Sequence, residues 1–493
     1  MNFSLISLEI CVVALGLALL LADLWLPPER KKLLGYVAAA GLGLLLAGSL
    51  CGWGGLGVTG NAFGGMFVQD GLAIFFKRFF LAAAILVLLM AVEFSDRIAG
   101  GVSEYYALIV FALSGMLFAA SANDFTLLFV SIELITITFY VLTSFQRGRF
   151  TSLEAGVKYL ILGALSSAFM VYGIALVWGT GKAMQFTELA ANIQRHPDLL
   201  QNSIFLLGVL LVLAGLGFKI AAFPFQIWVP DVYQGAPTPT TAFLAVGSKA
   251  AGFVLLLRVL FTAVPDVTAR WANLLIILSA VTILYGNLCA IPQRNVKRLL
   301  GYSSIAHAGY LLLGVAAMAA ARTGGSEAGG SAILYYLSGY LFTVLAAFTV
   351  ICLVMRHLDT EDISGLAGLS GRSPLLAATM ALAMVSLAGI PPLAGFFGKF
   401  LLLKAVIEQG ATNPGCYCLA FTALAGVVIS LYYYFGVVRA IYWSPGAGDP
   451  SPIRISRPIR FCLYVCIGGI FYLGLFPGAM VNLAMEAVKA LKR

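Results

Sequence analysis

Charge is what this sequence has least of. Only 10% of its 493 residues are Asp, Glu, Lys or Arg, and it holds three histidines. A soluble globular chain needs a largely polar surface, so this scarcity beside 61% hydrophobic residues excludes one. Eight cysteines are scattered, with no CxxC pair and no Cys/His cluster at metal-ligand spacing. Cys462 and Cys466 share a helix face but read as small buried hydrophobes. Three histidines are too few for a multi-haem protein. No Gly-x-Gly-x-x-Gly sits between a strand and a helix, and no soluble segment could hold a nucleotide. Short alternating segments, the mark of a β-barrel, are replaced by apolar runs of about 20 residues. The N-terminus lacks a basic region, and residues 2–22 read as a first membrane span, not a cleaved signal.

What is present is an all-α polytopic membrane protein. Apolar runs bounded by Gly, Pro or charge place fourteen spans at 4–26, 34–51, 72–93, 104–121, 125–143, 155–178, 203–229, 239–261, 271–291, 299–318, 331–355, 373–407, 416–441 and 460–477. Residues 186–196 form a short amphipathic surface helix between spans six and seven, and 485–493 a second amphipathic piece. The net charge of +9 reports topology, not nucleic-acid binding, because the basic residues cluster in short loops. One set of loops, with Arg30, Lys31, Lys32, Arg97, Arg147, Arg149, Arg294, Lys297 and Arg298 among its members, carries fourteen Lys and Arg. The other set, which includes Lys182, Arg195, Arg270 and Arg322, carries seven. The richer set faces the cytoplasm and both termini lie outside.

The longest runs, 203–229 and 373–407, are each interrupted, at Pro224 and at Gly389-Ile390-Pro391-Pro392. They lie five spans apart. Paired interruptions are the mark of an inverted-repeat transporter whose site lies at the breaks. Spans 4–8 and 9–13 are the expected repeats, each with a broken helix. The chain then divides into 1–100, a first repeat 101–262, a second repeat 263–443 and a C-terminal 444–493. Kinks without function are the plainer alternative.

A few ionisable groups lie inside the spans: Glu133, Lys158, Lys219, Lys249, His307 and Lys399. An amine in lipid costs about 2.5–3.5 kcal/mol on insertion scales. Lys158, Lys404 and Arg258 can reach a head-group layer by snorkelling, and His307 can be a satisfied core histidine. One structural ion pair would account for Glu133 and one lysine, leaving two lysines unexplained. Desolvation favours a neutral amine and a nearby carboxylate favours a charged one. A lysine poised between these influences exchanges a proton readily, and a row of them bridged by water and hydroxyls is a proton relay. Glu133 is the natural partner of Lys219. Hard cations are disfavoured here, because they need oxygen ligands and repel ammonium groups.

At these residues the sequence becomes recognisable. The stretch from Phe218-Lys219-Ile-Ala-Ala-Phe-Pro224 through Pro230-Asp-Val-Tyr-Gln-Gly-Ala-Pro237 to Ser248-Lys249-Ala-Ala-Gly-Phe resembles the subunit N family of NADH–quinone oxidoreductase, respiratory complex I. So do Gln293-Arg-Asn-Val-Lys-Arg-Leu-Leu-Gly-Tyr-Ser-Ser-Ile-Ala-His307 and Gly389-Ile-Pro-Pro-Leu-Ala-Gly-Phe-Phe-Gly-Lys399. The resemblance implies a fourteen-helix antiporter-like fold and one proton-pumping unit of the membrane arm. It implies neighbouring antiporter-like subunits as partners, a bilayer around them and no nucleic acid. NADH, FMN, iron–sulfur clusters and quinone would belong to other subunits, with no cofactor or metal on this chain. By motif, the family's essential glutamate falls on Glu133 and its channel lysines on Lys219, Lys249 and Lys399, with Lys158 auxiliary. Where the family usually has histidine this chain has Gln226, which cannot titrate. Fourteen spans fit a bacterial inner-membrane protein. A stand-alone or Mrp-type cation/proton antiporter subunit and a purely structural membrane-arm subunit are the alternative readings.

Overall fold

The computed structural model describes residues 3–53, 57–321, 327–357, 360–445 and 451–492. Arg322, one of the topology charges, lies outside the described residues. Helices dominate. After a 3-10 turn come α1 (Ser7–Asp23) and α2 (Lys32–Cys51), followed by a two-stranded antiparallel hairpin, β1 (Gly60–Ala62) and β2 (Phe67–Gln69). Then follow α3 (Gly71–Phe94), α4 (Val102–Ala120), α5 (Phe125–Thr143), α6 (Phe150–Gly181), α7 (Phe186–Arg195), α8 (Ser203–Ile220) and α9 (Trp228–Gly235). Next are α10 (Thr238–Phe243), α11 (Lys249–Arg258), α12 (Pro265–Arg270), α13 (Ala272–Ala290), α14 (Val296–Ala320), α15 (Glu327–His357), α16 (Leu369–Arg372) and α17 (Pro374–Ala388). The chain closes with α18 (Ala394–Glu408), α19 (Gly415–Trp443), α20 (Arg457–Leu475) and α21 (Pro477–Val488).

Thirteen helical stretches among the described residues are long and apolar enough to cross a bilayer. The fourteenth expected span, 373–407, is two half-length helices, α17 and α18, separated by residues 389–393. Side-chain caps set several starts. Asp70 accepts from the Ala73 amide at 2.8 Å to begin α3, and Asn295 accepts from Arg298 to begin α14. Burial divides the helices into two classes. The stretch 238–263 and helices α14 and α15 are buried almost throughout, whereas α6 and α19 bury only a third of their apolar window. A helix apolar on every side and buried is a core element, and one apolar on its exposed face is lipid-facing. Lys249 and His307 lie on the first class.

The run 203–229 stops at Ile220, because Ala221 adopts the left-handed conformation (φ 63°) and Pro224 follows. The chain resumes as α9, which includes Pro230. The run 239–261 is also not one α-helix. Five-residue π turns at Leu244–Ser248 and Val259–Ala263 flank α11. Each π turn adds a residue and rotates the next stretch of helix by about 100°. The hairpin departs from an all-α reading; its strands are only three residues long, below what alternation can reveal. The C-terminal amphipathic piece begins at Pro477, not near 485, and packs Ala487 against Gly71 and Val488 against Gly330.

Arg258 does not snorkel. It is buried at 2% exposure, forms a fork with both Asp70 oxygens at 2.8 and 3.0 Å, and donates to the Ala120 carbonyl at 3.0 Å. A neighbouring buried pair joins Lys77 to Glu9 at 2.6 Å, with Gln69 accepting from the same amine at 2.8 Å.

Candidate functional site

Both breaks leave backbone carbonyls to be satisfied: at the first, Trp228 Nε1 donates to Phe218 O at 3.0 Å, and at the second a lysine does so. In α17 the carbonyls of Leu387 and Ala388 would bond the amides of residues 391 and 392 if the helix continued. Both of those residues are proline and carry no N–H. Lys399, reaching back from α18, donates to Leu387 O at 2.8 Å and Ala388 O at 3.1 Å. Gly389, at φ 88°, ends α17 in the left-handed region that favours glycine, and its bare Cα leaves room for the lysine stem. Lys219 occupies the last turn of α8, before the other break. Both ammonium groups therefore belong to the C-terminal, negative end of a half-helix. This removes an apparent mismatch in the sequence, where Lys219 precedes its proline and Lys399 follows its own.

Lys219 is 5% exposed. Its ammonium donates to Thr136 Oγ1 of α5 and lies 5.5 Å from the centre of the Phe218 ring and 5.8 Å from that of Tyr159. Glu133 is one helical turn from Thr136 on α5, half-buried, and accepts from Ser167 of α6. Glu133 therefore lies a turn away on α5 from the hydroxyl that holds Lys219, without a direct ion pair to it. An ideal Cβ at Gly252 of α11 would stand 3.2 Å from Lys219 Cβ, so α8 and α11 pack closely. One turn back along α11 is Lys249.

Lys249 is 2% exposed and donates to both the hydroxyl and the carbonyl of Ser304 on α14. The Ser304 hydroxyl also meets Tyr233 OH and Tyr340 OH, each at 3.1 Å. One turn along α14, His307 bonds Tyr336 OH through Nδ1 and Tyr434 OH through Nε2, the latter at 3.0 Å. Tyr434 OH also bonds Ser303 Oγ. One turn further, Tyr310 presents its ring 4.9 Å from the Lys399 ammonium. Helix α14 is therefore the spine: Ser303, Ser304 and His307 carry hydroxyls and an imidazole onward from Lys249, and Tyr310 turns its ring to Lys399 while its hydroxyl donates to the Ala423 carbonyl at 3.3 Å. His307 is 3% exposed, with both ring nitrogens engaged.

Lys158 stands apart. Its side chain is 41% exposed and pairs with Glu154 and with Asp231, both at 2.7 Å. Arg298 holds the other Asp231 oxygen. Burial alone would raise the Asp231 carboxyl, but Lys158 and Arg298 outweigh burial and hold it below the ordinary carboxylate range. Gln226 is buried at 2%, and its side-chain oxygen has no hydrogen-bond partner among the described residues.

The transmembrane family described as NADH:quinone oxidoreductase/Mrp antiporter matches residues 122–429, which spans both breaks and all four buried-site positions. NADH-quinone oxidoreductase subunit N of Desulforamulus reducens is 39% identical over 489 residues, 99% of this chain and 98% of the relative. The subunit N of Moorella thermoacetica is 40% identical over 486 residues, 99% and 98% of the two chains. The chain belongs to the subunit N family. A chain in the structure of respiratory complex I from Thermus thermophilus with bound aureothin superposes with a TM-score of 0.78 at 34% identity, covering 97% of this chain and 99% of that one. A chain of the Mrp complex from a Dietzia species superposes at 0.80 over 100% and 98%, at 20% identity, a likeness of fold alone.

Several buried polar groups escaped the sequence reading of this family member. Lys297 was counted as a loop charge, yet it is 1% exposed in the first turn of α14, bonded to Ala236 O at 2.9 Å and Glu361 at 3.3 Å. The cue was Asn295, a helix-capping residue that places Lys297 inside the helix, seven residues and so two turns before Ser304 on the same face. Lys297 and Glu361 line an open cavity of about 1160 Å³, which Arg97, Arg147 and Arg149 also border. Among the described residues no cluster of three or more His, Cys, Asp or Glu could hold a metal ion.

Proposed function

We propose that this chain translocates protons as one membrane-arm subunit of an NADH–quinone oxidoreductase. Lys219, Lys249 and Lys399 are its charge-storing groups, Glu133 is the acid that biases Lys219, and His307 with the hydroxyls of α14 is the connecting relay. The observation that carries the reading is the attachment of Lys249 to Ser304 on a helix that then bears Ser303, His307 and Tyr310 as far as Lys399. Three amines taken out of water with so few counter-charges are costly unless the charge is used. Each hydroxyl can accept a proton on its oxygen while releasing its own, so a proton is handed on without any group leaving its helix. Lys158 takes an auxiliary, surface role.

Electron transfer from NADH, and the FMN, iron–sulfur clusters and quinone it requires, belong to other subunits of the same assembly. The drive reaches this chain through its contacts with related antiporter-like neighbours. The protein lies in a bacterial inner membrane. By the excess of Lys and Arg in one loop set, the 1160 Å³ cavity opens to the cytoplasm and both termini to the periplasm. The two breaks support a pair of inverted five-helix repeats, α4–α11 and α13–α19.

The test is proton uptake per NADH oxidised, measured in vesicles holding the assembled complex. Lys219→Ala, Lys249→Ala and Glu133→Ala should each lower it. Unchanged pumping in all three would leave the subunit a structural link. Sodium-dependent proton exchange by the isolated protein would instead make it an antiporter in its own right.

A further inference from the structure

No hydrogen bond joins Lys219 to Lys249 along the buried track. Lys249 is hydrogen-bonded to Ser304 of α14, and His307 of α14 to Tyr336 and Tyr434, but Lys219 donates to Thr136 of α5. A small gap is lined by Lys219 of α8, by Ser248 and Gly252, and by Ile132 and Ile135 of α5. Tyr159 of α6 stands beside the Lys219 ammonium. From this placement, and building on the proposed proton translocation, we infer that the Tyr159 hydroxyl is the relay residue that carries a proton between Lys219 and the Ser248–Lys249 side.

Three observations support the assignment. Tyr159 is completely buried, and its hydroxyl makes no hydrogen bond of ordinary geometry among the described residues. A buried hydroxyl without a fixed partner costs about 1–3 kcal/mol, so a purely structural position would more economically hold phenylalanine. The ring is the wall of the Lys219 site, 5.8 Å from the ammonium. The groups whose charges and dipoles bear on the hydroxyl belong to both sides of the gap. Glu133 and Tyr140 are on α5, whose Thr136 holds Lys219, while Ser248 directly precedes Lys249 in the chain. Tyr233, another of these groups, bonds the Ser304 hydroxyl that receives Lys249. The π turn ending at Ser248 rotates that serine and Lys249 out of the register a continuous α-helix would impose.

The transfer balances without a tyrosinate. The phenol oxygen accepts a proton from the Lys219 ammonium, directly or through one water, as its own proton passes to the Ser248 oxygen and the Ser248 proton passes on to a neutral Lys249 amine. Rotation about the C–O bonds then resets the hydroxyls. Lys219 is left neutral, and Lys249 takes up the charge.

Tyr159→Phe keeps the ring and removes only this oxygen. In vesicles matched for assembled complex, it should lower protons moved per NADH at least twofold. A merely structural ring predicts no change, and unchanged pumping overturns the inference. Ser248→Ala is a second arm that remains if the Phe variant fails to assemble, with loss expected and unchanged pumping again overturning it. Lys219→Ala and Lys249→Ala run beside both. If they abolish pumping while Tyr159→Phe and Ser248→Ala do not, the relay stands and this residue's part in it falls. If none has an effect, the proposed function itself fails.

Discussion

Lys399 and the Pro391-Pro392 pair are two halves of one device. The prolines remove the amides that would satisfy Leu387 and Ala388, and the lysine supplies the protons that those carbonyls then bond, at 2.8 and 3.1 Å. The residue read as a titrating group is thus also the C-terminal cap of α17. Loss of its proton and loss of the cap are therefore linked, and a change of charge at 399 bears on the geometry of the break.

Lys399→Ala should for that reason be worse than a lost charge alone. It leaves two buried carbonyls unpaired, at about 1–3 kcal/mol each. The expected outcome is a lower unfolding temperature of the detergent-solubilised complex together with reduced pumping. Lys399→Arg keeps donors at the break and should recover much of the stability while remaining slow in proton transfer, since a guanidinium does not deprotonate. Equal stability of the Ala variant and wild type would show that the cap contributes nothing.

Gly395→Ala tests how tightly the break is closed. Alanine in a helix is ordinarily favoured over glycine by about 1 kcal/mol. Here its Cβ would stand 1.8 Å from the Ser386 carbonyl oxygen, a backbone atom that cannot swing aside. Overpacking of about 1–3 kcal/mol or more outweighs the helix gain. The variant should assemble poorly, read as the amount of subunit recovered in purified complex. Normal recovery would mean that α17 and α18 separate freely.

The Asp70–Arg258 fork is a stabilising element with a definite pH signature. Burial alone would raise the Asp70 carboxyl, but the Arg258 guanidinium outweighs burial and holds it below its ordinary value. A carboxyl depressed in the folded state contributes stability above its unfolded pKa, and that contribution is lost as pH falls through the folded one. Asp70→Asn should therefore flatten the acid limb of the complex's thermal-stability profile. Arg258→Ala, which strands a buried carboxylate, should cost about 3–5 kcal/mol at neutral pH. An acid limb identical in wild type and Asp70→Asn would assign that limb to other groups.

What the sequence made legible obeys a physical rule. Lys219, Lys249 and Lys399 stand in the middle of apolar runs, where a charge has no head-group layer within reach, so their burial could be read directly. Lys77, Lys297 and Arg258 lie near the ends of such runs, where a buried charge and a snorkelling one have the same local sequence. Only tertiary partners distinguish them: Glu9, Glu361 and Asp70 come from distant segments. The breaks at 224 and 389–392 were legible because proline lacks an N–H. The π turns beside Lys249 were not, because nothing in Leu244–Ser248 differs in type from an ordinary helix. The position of Glu133 shows the same limit. Its depth along α5 was readable, but whether it met Lys219 depended on the rotation of α5, which puts Thr136 in that place instead.

Thr136→Val probes that rotation. Valine keeps the shape of threonine while removing the oxygen that holds the Lys219 ammonium. If Glu133 acts on Lys219 only through space, a free ammonium should still respond to it, and pumping should fall modestly. If Thr136 holds the amine within range of the acid, pumping should fall nearly as far as in Glu133→Ala. The double variant Thr136→Val/Glu133→Ala separates the cases. Additive losses indicate independent roles, and a double variant no worse than Glu133→Ala alone indicates one pathway.

The mouth of the track provides the last prediction. The 1160 Å³ cavity brings solvent to Glu361, whose side chain is 16% exposed and which is shared by Arg149 and the buried Lys297, both at 3.3 Å. The two basic partners look alike on a contact map but differ physically. Arg149 is 44% exposed, so solvent screens its pair and the pair is worth little, on the order of 0–1 kcal/mol. Lys297 is 2% exposed at its side chain and rests on Ala236 O and Glu361. Removing its counter-charge would leave a buried ammonium with a carbonyl alone. Glu361→Gln, which keeps the shape, should therefore lower proton uptake severalfold, and Lys297→Met should do the same, because each interrupts the step between cavity water and α14. Arg149→Ala should leave uptake within twofold of wild type. Should Arg149→Ala instead be as damaging as Glu361→Gln, the cavity's positive rim, and not the buried amine, would be the part of this mouth that matters.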